Sequence, residues 1–249
     1  MISFIEKANL PKGNVNSLIC GELCDELNDY LDSHGIERIV IEPNLHIDPS
    51  VRFHADMSVI HLGRNKLIVD KKQTRLIELL KSRGFDVKAS ADEIAGEYPD
   101  DVALNFALAD KCIIGNFKYA DEELLNSTGK LKRINVKQGY CKCSCLEVDE
   151  KSLITDDKSI YDKAIENGFD CLLISKGDIL LPGHQYGFIG GASGKISASE
   201  VLFFGDISKH RDYKKIADFI EKHGCSIISL DFPLTDFGGI VLLSEEVNF

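Results

Sequence analysis

His54 and Asp56 stand two residues apart in HADMSVIHLG, and Cys141, Cys143 and Cys145 alternate with Lys142 and Ser144 in GYCKCSCLEV. Read as strands, both stretches put residues i and i+2 on one face, so an imidazole and a carboxylate share one space and three thiols share another. A thiolate is both a nucleophile and a metal ligand, a neighbouring imidazolium favours its formation, and histidine exchanges protons close to neutral pH. Two chemistries are open on these residues: covalent thiol catalysis and zinc binding. Structural zinc sites usually pair two separated CxxC-like knuckles, and no second knuckle stands elsewhere in the chain. The plain alternatives are a polar strand entry facing water for His54 and Asp56, and buried thiols acting as small hydrophobes, which suits Cys145, Cys112, Cys171 and Cys225.

Other stretches carry weaker signals. Gly187 to Gly194, GFIGGASG, invites comparison with phosphate-binding loops but lacks the following Lys-Ser/Thr, so its glycines read as backbone that approaches a channel or a neighbour. His184 in LPGHQYG reads as a rim residue. The acidic pairs Asp100-Asp101 and Asp156-Asp157 read as solvated turns and helix starts.

Bulk properties narrow the partners. The chain has 249 residues, 44% of them hydrophobic, and 29 Lys plus Arg against 40 Asp plus Glu for a formal charge of -11. That balance argues against a nucleic-acid or anionic-membrane surface and mildly favours a small cationic ligand. No apolar run approaches a bilayer span, and the first residues lack an apolar core of signal-peptide length. The expectation is a cytoplasmic protein whose eight cysteines are reduced thiols.

These residues must be positioned by repeated elements. A unit of roughly 50 residues, ordered strand, strand, helix, strand, recurs along the chain. It is clearest over 54–90, where KQTRLIELLKSRG puts Leu76, Leu79 and Leu80 on one helical stripe ahead of Gly84. The pattern returns over 101–137, 141–176 and 187–231. Glycine ends the helix at Gly35, Gly84, Gly168 and Gly224, as a left-handed cap does, and Gly129 takes that place in the third unit. Residues 15–43 supply a second strand, a helix and a third strand without a first strand, while 236–246 supply a first strand and nothing after it. Joined, they complete a fifth unit, so the expected fold is a single α/β domain over 1–249, a pseudo-symmetric five-unit propeller closed by pairing of the N- and C-terminal strands.

Five such units in a closed ring resemble the pentein fold, the α/β-propeller of arginine deiminases, dimethylarginine dimethylaminohydrolases, amidinotransferases and agmatine deiminases. The resemblance implies that the first strand of each unit faces a central channel with the reacting groups at its mouth. It implies a general acid/base in His54, a guanidinium-holding carboxylate in Asp56 and a channel-end residue at the substrate in Asn105. It places the nucleophile at Cys143, with Cys141 as second choice, and reads DFGG as the acidic stretch in which Asp236 orients the histidine or grips substrate, with Gly238 and Gly239 beside it. His184 is the expected rim contact. In the named families the acidic strand comes before the histidine, whereas here it is last, so the chain is read as a circular permutant. Two further departures are Gly139-Tyr140 in place of a double glycine before the nucleophile, and Ile240 where an acid often follows the glycine pair.

The implied activity is a cysteine-dependent hydrolase or transferase acting on a guanidino, amidino or related C–N substrate through a covalent thiol intermediate, without cofactor or metal. The alternatives are a non-catalytic ring that binds a small cation or a macromolecule, as one translation-factor branch of the same fold does, and a metal or redox role for the Cys141-Cys143-Cys145 strand.

Overall fold

The computed structural model describes residues 2–247. A short strand β1 (Ile2–Phe4) precedes the first unit, β2 (Asn14–Cys20), α1 (Asp25–Ser33) and β3 (Glu37–Val40). The second unit holds a helical turn α2 (Ala55–Ser58), β4 (Val59–His61), β5 (Lys66–Val69), α3 (Thr74–Ser82) and β6 (Asp86–Ala89). The third is β7 (Ala107–Ala109), β8 (Cys112–Gly115), α4 (Glu122–Ser127) and β9 (Lys132–Asn135). The fourth is β10 (Cys145–Asp149), β11 (Ser152–Thr155), α5 (Lys158–Glu166) and β12 (Asp170–Leu173). The fifth is β13 (Ser193–Ser197), β14 (Glu200–Phe203), α6 (Tyr213–Lys222) and β15 (Ser226–Ile228), after which β16 (Val241–Glu246) returns to the first.

In every unit the first strand runs antiparallel to the second, and the second parallel to the third across the helix. The broken unit is completed as the sequence implies. β16 pairs antiparallel with β2, Val241 opposite Ile19, and β2 pairs parallel with β3. One element went unforeseen: β1 covers the outer edge of β16 with Ile2 opposite Glu246, which removes a free edge.

The helices follow their apolar spacing. In α3, Leu76 and Leu80 are buried one turn apart, whereas Leu79, expected on the same stripe, is 38% exposed. Gly35, Gly84, Gly168 and Gly224 all take positive φ just beyond their helices, which L-residues adopt at a cost. Gly129 is not among the residues with positive φ, and its helix is instead fixed at the start, where the Asp121 carboxylate accepts from the Glu123 and Leu124 N–H groups.

The apolar core is divided among the seams between units. Four of the five clusters each join two neighbours, one of them uniting Leu18 and Leu27 of the first unit with Leu202 and Phe204 of the fifth, and the remaining cluster adds Cys143 and Leu181 to the second and third units. A belt of hydrogen bonds runs round the inner ends. Asp56 N–H donates to Gly238 O (3.3 Å), Asn105 Nδ2 to Asp56 O (3.1 Å) and Cys141 N–H to Asn105 O (3.2 Å). Gly190 N–H donates to Cys143 O (2.8 Å), and Phe237 N–H to Gly191 O (3.0 Å), which closes the circle. No helix among the described residues is long and apolar enough to cross a membrane.

Candidate active site

The chemistry-bearing residues do not lie on the first strands. They lie on turns just before them, which corrects the alternation argument. Met57 N–H donates to His54 O (3.2 Å), Asn105 N–H to Val102 O (2.9 Å), Ser144 N–H to Tyr140 O (3.0 Å) and Ala192 N–H to Phe188 O (3.0 Å). Turning there lets these backbone groups find partners in their own or the next unit. His54 and Asp56 therefore come together through a helical turn, not through strand pleating. The three thiols separate: Cys141 and Cys145 are buried in the seam between the third and fourth units, while Cys143 packs in the seam between the second and third. Among the described residues no group of three or more His, Cys, Asp or Glu side chains is placed to hold a metal ion.

Cys143, His54 and Asp236 line one cavity of about 890 Å³ together with His184. Asp236 is fixed by Phe188 N–H on Oδ2 (2.8 Å) and Gly238 N–H on Oδ1 (2.9 Å), and its Oδ1 lies 3.7 Å from His54 Nδ1. The structure thus places Asp236 beside the imidazole, as the resemblance implies, at ion-pair distance and without a hydrogen bond. The glycines of GFIGG and DFGG make it possible: a β-carbon on Gly191 would stand 2.0 Å from Asp236 Oδ1, and one on Gly238, whose φ is +80°, would stand 2.3 Å from the His54 β-carbon. Gly239 carries the backbone past Asp56, and a β-carbon there would stand 2.8 Å from Gly190 O.

Asn105 was expected at the substrate. It is instead wholly buried behind the nucleophile candidate, where Nδ2 donates to Cys143 Sγ (3.0 Å) and Oδ1 accepts from Lys142 N–H (2.8 Å) and Cys143 N–H (3.3 Å). It positions the cysteine turn. Asp56 likewise lies off the cavity wall, 1% exposed and against the Cys143 thiol, with neither carboxylate oxygen accepting a well-formed hydrogen bond from the chain. His184 sits at the rim, 3.7 Å from Asp48 Oδ1 with its side chain 43% exposed.

Asp101 is the residue the sequence reading passed over. Assigned to a solvated turn, it is 1% exposed and lines the cavity, with Oδ2 accepting from the Tyr140 hydroxyl (2.9 Å). Its neighbour pair divides in two: Asp157 does cap α5, while Asp156 is buried. Nothing in the local sequence of Asp101 signalled burial, because Tyr140, whose hydroxyl donates to it, comes from a separate stretch.

The electrostatics of the site are set by burial and by its carboxylates, with Lys142 acting on Asp56 from behind. Burial, then the carboxylates of Asp56 and Asp236, push the Cys143 thiol well above its ordinary range. Burial pulls His54 down against the opposing pull of Asp236. Both directions favour the neutral thiol and the neutral imidazole over a thiolate supported by an imidazolium. Asp56 is pushed up to about 7 by burial and then by Asp236.

That last shift has a measurable sign. Asp56 holds its proton more tightly in the folded chain than at the unfolded value of about 3.9, so stability declines as pH rises from about 4 through about 7 and the penalty is complete above that, at most about 4 kcal/mol. Asp56→Asn should therefore raise the melting temperature at pH 8 and change it little at pH 4. Thermal unfolding at the two pH values checks this; an equal loss at both would mean that the carboxylate is held by partners and costs nothing.

The family is decided by a comparison along the sequence. A model described as "Family of unknown function (DUF6873)" matches residues 18–241. The chain belongs to that family. No curated protein sequence matches this DUF6873 chain. Among solved structures it is similar to the amidinotransferase SxtG from Microseira wollei, with a TM-score of 0.60 and 12% identity over 98% of this chain and 97% of that one. It is similar to the inosamine-phosphate amidinotransferase StrB1 from Streptomyces griseus, at 0.60 and 11% over 95% and 94%. A substrate-bound agmatine deiminase variant from C. jejuni matches at 0.57 and 11% over 98% and 96%. At these identities the likeness establishes the fold, and the DUF6873 chain is a pentein α/β-propeller.

Proposed function

We propose that the protein is a cysteine-dependent hydrolase or transferase acting on a guanidino, amidino or related C–N substrate, with Cys143 as nucleophile, His54 as acid/base and Asp236 as the residue that orients it. The observation that carries this reading is the gathering of a thiol, an imidazole and the Asp236 carboxylate from three units around one cavity, with the Asp56 carboxylate buried behind the thiol. The amidinotransferase and agmatine deiminase names of the structural neighbours support it.

A guanidinium bound in the cavity would bring a positive charge to the thiol. Its positive charge beside Asp236 offsets the repulsion from the Asp56 and Asp236 carboxylates that keeps Cys143 protonated, so binding itself favours the thiolate. The thiol proton passes to His54 as the S–C bond forms at the guanidinium carbon. His54 then returns that proton to the departing nitrogen while the C–N bond breaks, leaving an amidino group on sulfur. Water or an acceptor amine attacks that carbon, gives a proton to His54 and displaces the thiolate, which His54 reprotonates. Asn105 keeps Sγ aimed throughout.

Acid quenching during incubation with guanidino compounds, followed by peptide mass analysis, tests the covalent step. The expected result is an amidino adduct on the peptide bearing Cys143, absent in Cys143→Ser. Product formation that persists in Cys143→Ser would overturn the reading.

A further inference from the structure

The outer half of the cavity is acidic and aromatic. No lysine or arginine lines it, and Lys176, which stacks on the Tyr186 ring, stands outside the lining. Its carboxylates beyond Asp236 are Asp48, Glu97 and Asp101. Asp48 is occupied, accepting from Ser50 N–H at 2.7 Å with His184 beside it. Asp101 is different: it is 1% exposed, one oxygen is bound by the Tyr140 hydroxyl, and Oδ1 has no partner although the residue faces the cavity. A buried carboxylate oxygen left without a donor is costly, and a ligand that supplies one would recover that cost.

The walls around Asp101 suit a cation. Tyr98 and Tyr140 pack at a tilt of 41° with centroids 5.3 Å apart, and Tyr140 packs on Phe188 at 6.1 Å. Phe188 N–H in turn holds Asp236, so a continuous aromatic wall leads from the inner carboxylates to Asp101. Aromatic faces attract alkyl chains and ammonium groups alike.

We propose that Asp101, steadied by Tyr140, is a second anchoring point that selects guanidines carrying a distal ammonium group, and that the cavity rejects guanidino acids. This rests on the guanidino reading of the inner site and adds the class of substrate to it. A carboxylate at the far end would meet Glu97 and Asp101 with no lysine or arginine to receive it, whereas an ammonium donates to the free Oδ1 and lies against the rings.

The test is calorimetric binding to the full chain carrying Cys143→Ser, which prevents turnover. The ligands are ω-guanidinoalkylamines of two to five methylenes, alkylguanidines of matching length and the corresponding ω-guanidino acids. At the best length the amine should bind at least about tenfold more tightly than the alkylguanidine, the worth of one charge-assisted hydrogen bond to a buried group, and the acid should bind most weakly. Asp101→Asn should bring the amine to the level of the alkylguanidine. Tyr140→Phe, which keeps the charge, should retain the preference. Equal binding of amine and alkylguanidine at every length, decided on the chain with Asp101 intact, overturns the inference while leaving the guanidino reading standing. Absence of binding by every guanidine overturns both.

Discussion

Removal of residues 241–249 is expected to abolish cooperative folding. β16 is the first strand of the N-terminal unit, and it lies between β1 and β2 at the centre of a four-stranded sheet. Its side chains serve two seams, Val241 and Leu243 toward the second unit and Leu242 toward the fifth. Three buried aliphatic side chains are worth roughly 1.5–3 kcal/mol each. Polar contacts are lost as well: Ser17 and Ser244 hydroxyls meet at 2.6 Å, and the buried Glu245 carboxylate accepts from Gly13 N–H at 2.7 Å. The sum rivals the whole net stability of an ordinary domain, about 5–15 kcal/mol. Circular dichroism melting should show a broad, non-cooperative transition or none. A truncated chain that still unfolds sharply, within a few degrees of the full one, would mean that four units stand without closure.

The ring was legible in the sequence because its evidence is repetition. The order strand, strand, helix, strand survives in five places even where single helices are weak, and orphan strands at opposite ends of the chain leave one economical pairing. β1 was not legible: a three-residue strand with every side chain exposed carries no periodicity. Residue types at the mouth were also legible, since the turns that hold His54, Asn105, Cys143 and Asp236 occupy equivalent places in successive units.

Their orientations were not. Alternation describes a strand, and α2 and the Tyr140–Ser144 turn are not strands, so Asp56 went beneath the thiol and Asn105 behind it. Asp101 was missed for a different reason. Two adjacent acids in YPDD look solvated unless one knows that Tyr140, from the next unit, folds over one of them. The pKa directions belong to the same class: a His-Cys pairing suggests a ready thiolate, whereas burial and the surrounding carboxylates favour the neutral thiol, so the proposed chemistry requires a bound cation first.

That requirement can be measured on the unmodified protein. Chloroacetamidine and chloroacetamide share a leaving group and differ in charge, the first being cationic near neutral pH. Cys143 is buried among carboxylates, whereas Cys24, the one cysteine among the eight that is not buried, stands outside the cavity that Cys143 lines, in a shallower pocket on the other side of His54 and Asp236, and serves as an internal control. Alkylation at pH 7.5 followed by peptide mapping should show Cys143 modified at least about a hundredfold faster by the amidine than by the amide, because the cation draws in the ligand and lowers the barrier to thiolate formation together. Cys24 should react with the two at similar rates, and His54→Ala should slow the reaction at Cys143 alone. If Cys143 is inert to both reagents, or shows the same ratio as Cys24, it is not a nucleophile for cationic C–N substrates, and the pentein frame of this chain serves binding without covalent chemistry.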